Sequence, residues 1–303
     1  FEIGSGHHWI AVKVPDDSYA MIANGLRVHG VNLASKDVLH SKGMFEFVEQ
    51  HKLLEKADKK SFNFAKAFGV IGDEYNIDRE WLGQKMLTPS KYQQSRLAQY
   101  PLFMKPDEKI SVKDVAEVLS ATYDGTALEG KAKRPIRVER QLESHVIQLR
   151  PNMPDELQGV IWQSFGVLPE SVLVPLYSTL QQYPKAFQVG DDTYSDDSAY
   201  WQFRSLTALA SANPGKYLPI LKATWDEEET QLYKQVKHLD KTLTGMYKAD
   251  KQAALNMAAD YSYGQLKRTL SMATELRYKM MTDLTKSTEK KYSEEEFKKI
   301  MSL

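Results

Sequence analysis

Asn24 and Arg79 are the two side chains of this 303-residue chain whose surroundings best suit a chemical role. Asn24 ends the apolar run "YAMIAN" and precedes Gly25. An amide in that place either caps the turn that follows or presents an N–H to an oxygen that gains negative charge during acyl transfer. On the local pattern alone the turn cap is the simpler role. Arg79 stands in "EYNIDREWLGQKML" between Asp78 and Glu80. Residues adjacent in sequence do not face each other on a helix, so its guanidinium is expected to pass both carboxylates and reach another target.

Other chemistries find little support. The chain has no cysteine, which excludes disulfides, thiolate metal sites and a cysteine nucleophile drawn from these residues. His7 and His8 are adjacent and, on a strand, point to opposite faces, so they read as one buried and one exposed ring. "GVIGDEYN" lacks the Lys-Ser/Thr of a phosphate loop and no G-x-G-x-x-G follows a strand, so no cofactor is expected. No G-x-S-x-G elbow is present, and His145 in "ESHVIQLR" reads as a strand residue with a satisfied ring. Asp191-Asp192 and Asp196-Asp197 lack calcium-loop spacing and read as a solvated loop with an N-cap at Asp197 or Ser198, so no metal is expected.

The 40 basic and 40 acidic residues cancel, and no basic stripe interleaves with aromatics, so nucleic acid is not an expected partner. No apolar run is long enough to span a bilayer, and no membrane partner is expected. The opening "FEIGSGHHW" has neither a basic n-region nor an apolar h-region. The expected location is cytoplasmic. Because the opening enters a strand-like pattern with no Met, sequence is expected to be missing upstream, which leaves export open.

These residues must be positioned by strands and helices around a core for which 42% apolar and 11% aromatic residues suffice. The expectation is one α+β domain over 1–303, strands and short helices over 1–183 and helices over 184–303. Trp9–Val14 and Tyr19–Asn24 read as a hairpin about the turn Pro15-Asp16-Asp17-Ser18. Short helices follow to about Leu87, broken at Gly69 and Gly72, then a helix opened by Ser111 and Asp114 and stopped by Gly125. Runs from Ser144, Gly159 and Ser171 predict a three-stranded antiparallel meander. Three helices are expected over 198–212, 217–243 and 249–284, the first break being Asn213-Pro214-Gly215, with a short capped helix from Ser293. Tyr200, Trp201, Phe203, Leu206 and Leu209 suggest a large aromatic helix face that must lie across a sheet. The visible strands are too few for that mass of helix, so further strand from elsewhere is expected.

The blocks "GHHWIAVKVPDDSYAMIANGLRV", "FAKAFG" with "EYNIDREWLGQKML", "SVKDVAEVLSATYDGT", "RPI" leading to "ESHVIQLR", and "DDSAYWQFRSLTALA" occur in the order found in bacterial cysteine dipeptidases. The chain resembles this dipeptidase A type of N-terminal-nucleophile (Ntn) hydrolase from about Gly6 to Leu284. The resemblance implies a four-layer αββα sandwich of two antiparallel sheets. It implies hydrolysis of dipeptides and short peptides by an N-terminal cysteine whose own α-amino group is the base. It places Asn24 in the oxyanion hole, and it places Arg79, in the family's Tyr-Asn-x-x-Arg block, near the nucleophile as a cation. The chain departs from the pattern in lacking the nucleophile segment, and so looks like the C-terminal two-thirds of the enzyme. Implied partners are a peptide substrate and that N-terminal segment, with a homo-oligomer as an option. Two alternatives are an Ntn amidase acting on N-acyl small molecules and a non-catalytic secernin-like interaction protein.

Overall fold

Trp9 does open a strand, β2 (Trp9–Val12), and both edges of that strand are occupied. β1 (Glu2–Ile3) pairs antiparallel with it, Ile3 opposite Trp9, and β3 (Val38–His40) does the same on the other side, Leu39 opposite Ala11. The hairpin expected with Tyr19–Asn24 is therefore not formed. A lone bridge joins Tyr19 to Met104, and residues 20–24 carry no strand. This computed structural model describes residues 1–4, 8–91, 94–288 and 293–302, so His7 lies outside the description. The chain divides into two units, Phe1–Val138 and Glu139–Leu303.

In the first unit three of the four helices among the described residues begin where the sequence supplies a side-chain cap, the helix behind Gly43 being the exception. α1 (Met44–Gln50) is followed by α2 (Phe64–Phe68), whose Lys66 N–H donates to Asn63, and by α3 (Glu74–Leu87), whose Tyr75 N–H donates to Asp73. α4 (Val112–Leu119) carries the full Ser111–Asp114 capping box but ends well before Gly125, which serves a later turn. One core cluster gathers Ile10, Met44, Val48, Phe62 and Phe64, and a second gathers Trp81, Leu82, Tyr100 and Tyr123 around α3. Residues 19–24 lie along α3: the Tyr19 hydroxyl is 2.8 Å from Thr88 Oγ1, and the Met21 side chain covers Gly83. A Cβ at Gly83 would fall 2.3 Å from Met21 Cε, so any larger residue there would make the methionine end move.

α3 buries three consecutive charges, Asp78, Arg79 and Glu80, at 1%, 8% and 1% exposure. Successive helical positions are about 100° apart, so the three point three ways and each needs its own compensation. Glu80 sits 3.1 Å from Arg27 Nε, and Asp78 sits 3.5 Å from Arg96. Arg27 also donates to the carbonyls of Tyr100 and Pro101, while its backbone N–H and that of Val28 donate to the Glu2 carboxylate. The buried pair thus pins the chain just after Asn24 against α3. Burial outweighs the pull of Arg27 and pushes the Glu80 carboxyl up to about 7.

The second unit takes in the meander together with the helices, so the units part at 138/139 while the composition changes near 183/184. β4 (Glu143–Leu149), β5 (Gly159–Phe165) and β6 (Val174–Tyr177) form the predicted antiparallel sheet in chain order, Val146 opposite Trp162. The helices are α5 (Ala199–Ala212), α6 (Pro214–Ala249), α7 (Lys251–Ser287) and the capped α8 (Glu294–Met301). At 36 and 37 residues, α6 and α7 are each about 55 Å long. α6 buries Tyr217, Leu221, Trp225, Leu232 and Val236, and α7 buries the small residues Ala254, Ala258, Ser262 and Ala273. Ser262 Oγ accepts the Tyr177 N–H at 2.9 Å, so α7 packs on β6.

The aromatic face expected on α5 is a correction. Phe203 and Leu206 are buried, with the Phe203 ring 5.6 Å from Phe165 of β5, but Tyr200 is 36% exposed and its ring lies against Trp201, which meets Tyr194. Phe203 lies about 60° to one side of Tyr200 on the helix and Trp201 about 100° to the other, and the buried face centres on the Phe203, Leu206 and Ala210 side, which leaves Tyr200 and Trp201 at its margin. The fold is α+β, with two small antiparallel sheets and many helices. Each sheet leaves an apolar face open: Ile3 and Leu39 on the first, Ile147, Leu149 and Ile161 on the second. No helix among the described residues is long and apolar enough to cross a membrane.

Two outcomes are expected. Leu232→Ala, at a fully buried position of α6, should cost about 2–5 kcal/mol in urea unfolding, whereas Ile220→Ala, on an exposed position of the same helix, should cost under about 0.5 kcal/mol. Equal losses would contradict the packing. Because the Glu80 carboxyl is raised, the folded chain holds its proton more tightly than the unfolded chain. Its contribution to stability therefore falls as pH climbs from about 4.5 to about 7, by at most about 1.4 kcal/mol per unit. Glu80→Gln should flatten that part of the pH profile, and a profile parallel to wild type would contradict it.

Candidate functional site

Tyr75, Asn76 and Arg79 occupy positions i, i+1 and i+4 of α3 and so share a face of the helix. As the sequence suggests, the Arg79 guanidinium passes its neighbouring carboxylates. Nε donates to the Tyr75 carbonyl at 2.9 Å, Nη2 to Asn76 Oδ1 at 2.9 Å, and Nη1 to Asn24 Oδ1 at 2.8 Å. The same guanidinium lies over the Tyr75 ring, 4.6 Å from its centroid. Asn24 thus sits on an irregular bend held against α3, where a strand end was expected.

A second line of hydrogen bonds sets the orientation of both amides. The Asp73 carboxylate, already the cap of α3, accepts from Asn76 Nδ2 at 3.0 Å. A carboxylate only accepts, so the Asn76 oxygen must face the other way, where it takes the Asn24 backbone N–H at 3.1 Å along with Arg79. An arginine only donates, so the Asn24 oxygen must face Arg79 and its NH2 group must face outward. That NH2 has no hydrogen-bond partner among the described residues, and Asn24 is exposed. Gly25 keeps the contact close, since a Cβ there would stand 3.3 Å from Asn76 Nδ2.

The electrostatics are positive. Burial, and after it the Arg134 guanidinium, push Arg79 below the usual arginine range. Arg134 Nη1 donates to the Tyr75 hydroxyl at 3.1 Å. Chemically, the arrangement offers a solvent-facing amide N–H, oriented in advance, with a cation directly behind it. Such a pair suits an oxygen that becomes negatively charged. Among the described residues no group of three or more His, Cys, Asp or Glu side chains could hold a metal ion.

The sequence singled out Asn24 and Arg79 without predicting that they touch. The Tyr-Asn-x-x-Arg spacing held the signal for Tyr75 and Asn76, because residues three and four apart are helix neighbours. Asp73 carries only its capping signal, and Arg134, 55 residues beyond Arg79, carries none. The other candidates are engaged separately: His8 with Ser41, His145 with Glu143, Asp196 with Tyr194 and Arg277.

A model of Peptidase family C69 matches residues 1–227, which include Asn24, the Tyr75–Arg79 turn and Arg134. A "Probable dipeptidase" of Latilactobacillus sakei is 31% identical over 229 residues, covering 71% of this chain and 48% of that protein. A "Probable dipeptidase A" of Streptococcus pyogenes serotype M3 is 28% identical over 280 residues, covering 88% and 60%. A "Probable dipeptidase B" of Lactococcus lactis is 30% identical over 224 residues, covering 69% and 47%. The chain therefore spans about half to three-fifths of the length of these curated relatives. With the match running through the residues that build the site, the chain belongs to Peptidase family C69.

Proposed function

We propose that the chain serves a dipeptidase as the part that binds the oxyanion, with the attacking cysteine supplied by polypeptide outside these 303 residues. The observation that carries this reading is the 2.8 Å hydrogen bond from Arg79 to Asn24 Oδ1, which turns the amide N–H groups toward solvent. Names of the relatives support the substrate class, and the absence of any cysteine from the sequence is consistent with an external nucleophile. The open apolar faces of the two sheets support the αββα sandwich, each being a surface that a further layer would cover.

The cysteine Sγ, its proton taken by the α-amino group of the same residue, attacks the scissile carbonyl carbon. The carbonyl oxygen becomes an oxyanion, which Asn24 Nδ2 stabilises by donating to it while Arg79 holds the amide still. Collapse breaks the C–N bond, the departing amine takes the proton back, and a thioester remains. Water then attacks the thioester, passing again through an oxyanion at Asn24, and releases the acid and the thiol. Arg79 also favours the thiolate by its charge.

Asn24→Ala in the full-length polypeptide should lower turnover of a dipeptide by more than tenfold, toward the roughly 10²- to 10³-fold that a lost oxyanion donor costs. Stability should fall by about 1–3 kcal/mol, because Arg79 loses one of its three acceptors, and turnover is therefore compared below the variant's thermal midpoint. Unchanged turnover would remove Asn24 from the mechanism.

A further inference from the structure

Two arginines beside the N-terminal half of α3 have no acid of their own among the described residues, although acids and bases around it are equal in number. Glu80 is paired with Arg27, Asp78 with Arg96, and Glu74 with Arg96 and Lys133. Asp73 is spent on the Tyr75 N–H and Asn76. Neither Arg79 nor Arg134 has a carboxylate partner among the described residues, yet their guanidinium carbons stand 4.6 Å and 5.5 Å from the centroid of the same Tyr75 ring. Like charges gathered in this way repel unless an anion joins them.

The donors around this point outnumber their acceptors. Arg134 Nε is shut off from solvent and has no hydrogen-bond partner. The Tyr123 hydroxyl, on a side chain 5% exposed, has none either, and it is close enough to Asp78, Arg79 and Arg134 to feel all three charges. Burial drives the Tyr123 pKa up, so the hydroxyl keeps its proton and remains a donor. Arg79 spends one N–H on each of its three partners, which leaves one on each terminal nitrogen. A guanidinium is a planar fork of N–H donors, which matches a carboxylate.

We infer that Arg134, together with the remaining N–H groups of Arg79, binds the C-terminal carboxylate of a dipeptide substrate. The inference rests on the reading that Asn24 receives the scissile carbonyl. In a dipeptide a single residue separates that carbonyl from the terminal carboxylate, at most about 3.6 Å of chain. A cation that reads the carboxylate must therefore stand beside the oxyanion donor. Arg79 bonds directly to Asn24, and Arg134 shares the Tyr75 ring with Arg79. The same geometry disfavours longer peptides, whose carboxylate lies further from the scissile bond.

The test compares alanyl-alanine with alanyl-alanine amide in the full-length polypeptide. Arg134→Gln should lower kcat/KM for the free dipeptide by about tenfold to a hundredfold, mainly through KM, while the value for the amide stays as in wild type. Arg134→Lys, which keeps the charge without the planar fork, should fall between the two. Equal losses on both peptides, or no loss on either, would overturn the inference. If wild type cleaves neither peptide, the functional reading fails separately, and calorimetric titration with the same two compounds decides the subsite. Weaker binding of alanyl-alanine alone by Arg134→Gln supports it, and equal binding by variant and wild type overturns it.

Discussion

Three charged side chains in succession on one buried helical turn leave the chain few ways to fold. Asp78, Arg79 and Glu80 cannot share a partner, because the helix aims them in different directions, and none can be left alone without a desolvation cost of several kcal/mol. Glu80 therefore draws Arg27 onto α3, and Arg79 draws the Asn24 side chain. The two interactions lie three residues apart on the segment 24–27, so it is held at both ends against α3. The candidate site follows from satisfying α3.

What this anchoring supplies is orientation. An asparagine side chain can turn either its oxygen or its nitrogen toward a partner, and a free one samples both. Here acceptor-only Asp73 fixes Asn76, and donor-only Arg79 fixes Asn24, so each amide has one satisfactory arrangement. In the proposed mechanism the N–H that meets the oxyanion is already in place, and no reorganisation is needed when charge develops. Arg79 and Arg134 meet the Tyr75 ring without a carboxylate partner among the described residues, and a substrate carboxylate would supply one.

Much of the architecture was legible where local rules decide it. The Ser111–Asp114 and Ser293–Glu296 capping boxes, the meander from Glu143 to Tyr177, and the long helices on either side of Asp250 follow from caps, turn residues and periodicity. The Tyr19–Asn24 hairpin arm was misread, because alternation says a segment could be a strand and cannot say that β1 and β3 already occupy the edges of β2. The α5 aromatics were misread as a single face for a similar reason: composition supplied rings, but only helical phase says which of them meet the core. At the site, Arg79 could be seen to point away from its sequence neighbours, but its contact with Asn24 joins residues 55 apart and has no local signature. For Asn24 the local pattern left a turn cap and an oxyanion donor both open, and the family resemblance favoured the donor.

At the oxyanion step Arg79 would act through the Asn24 amide, and the proposed mechanism rests on this coupling. A double-mutant cycle on turnover, using Asn24→Ala, Arg79→Gln and the combined variant of the full-length polypeptide, measures it directly. If Arg79 works by holding Asn24, the combined variant should be no slower than the slower single variant. Losses that multiply would show that the two side chains act independently and would contradict the account.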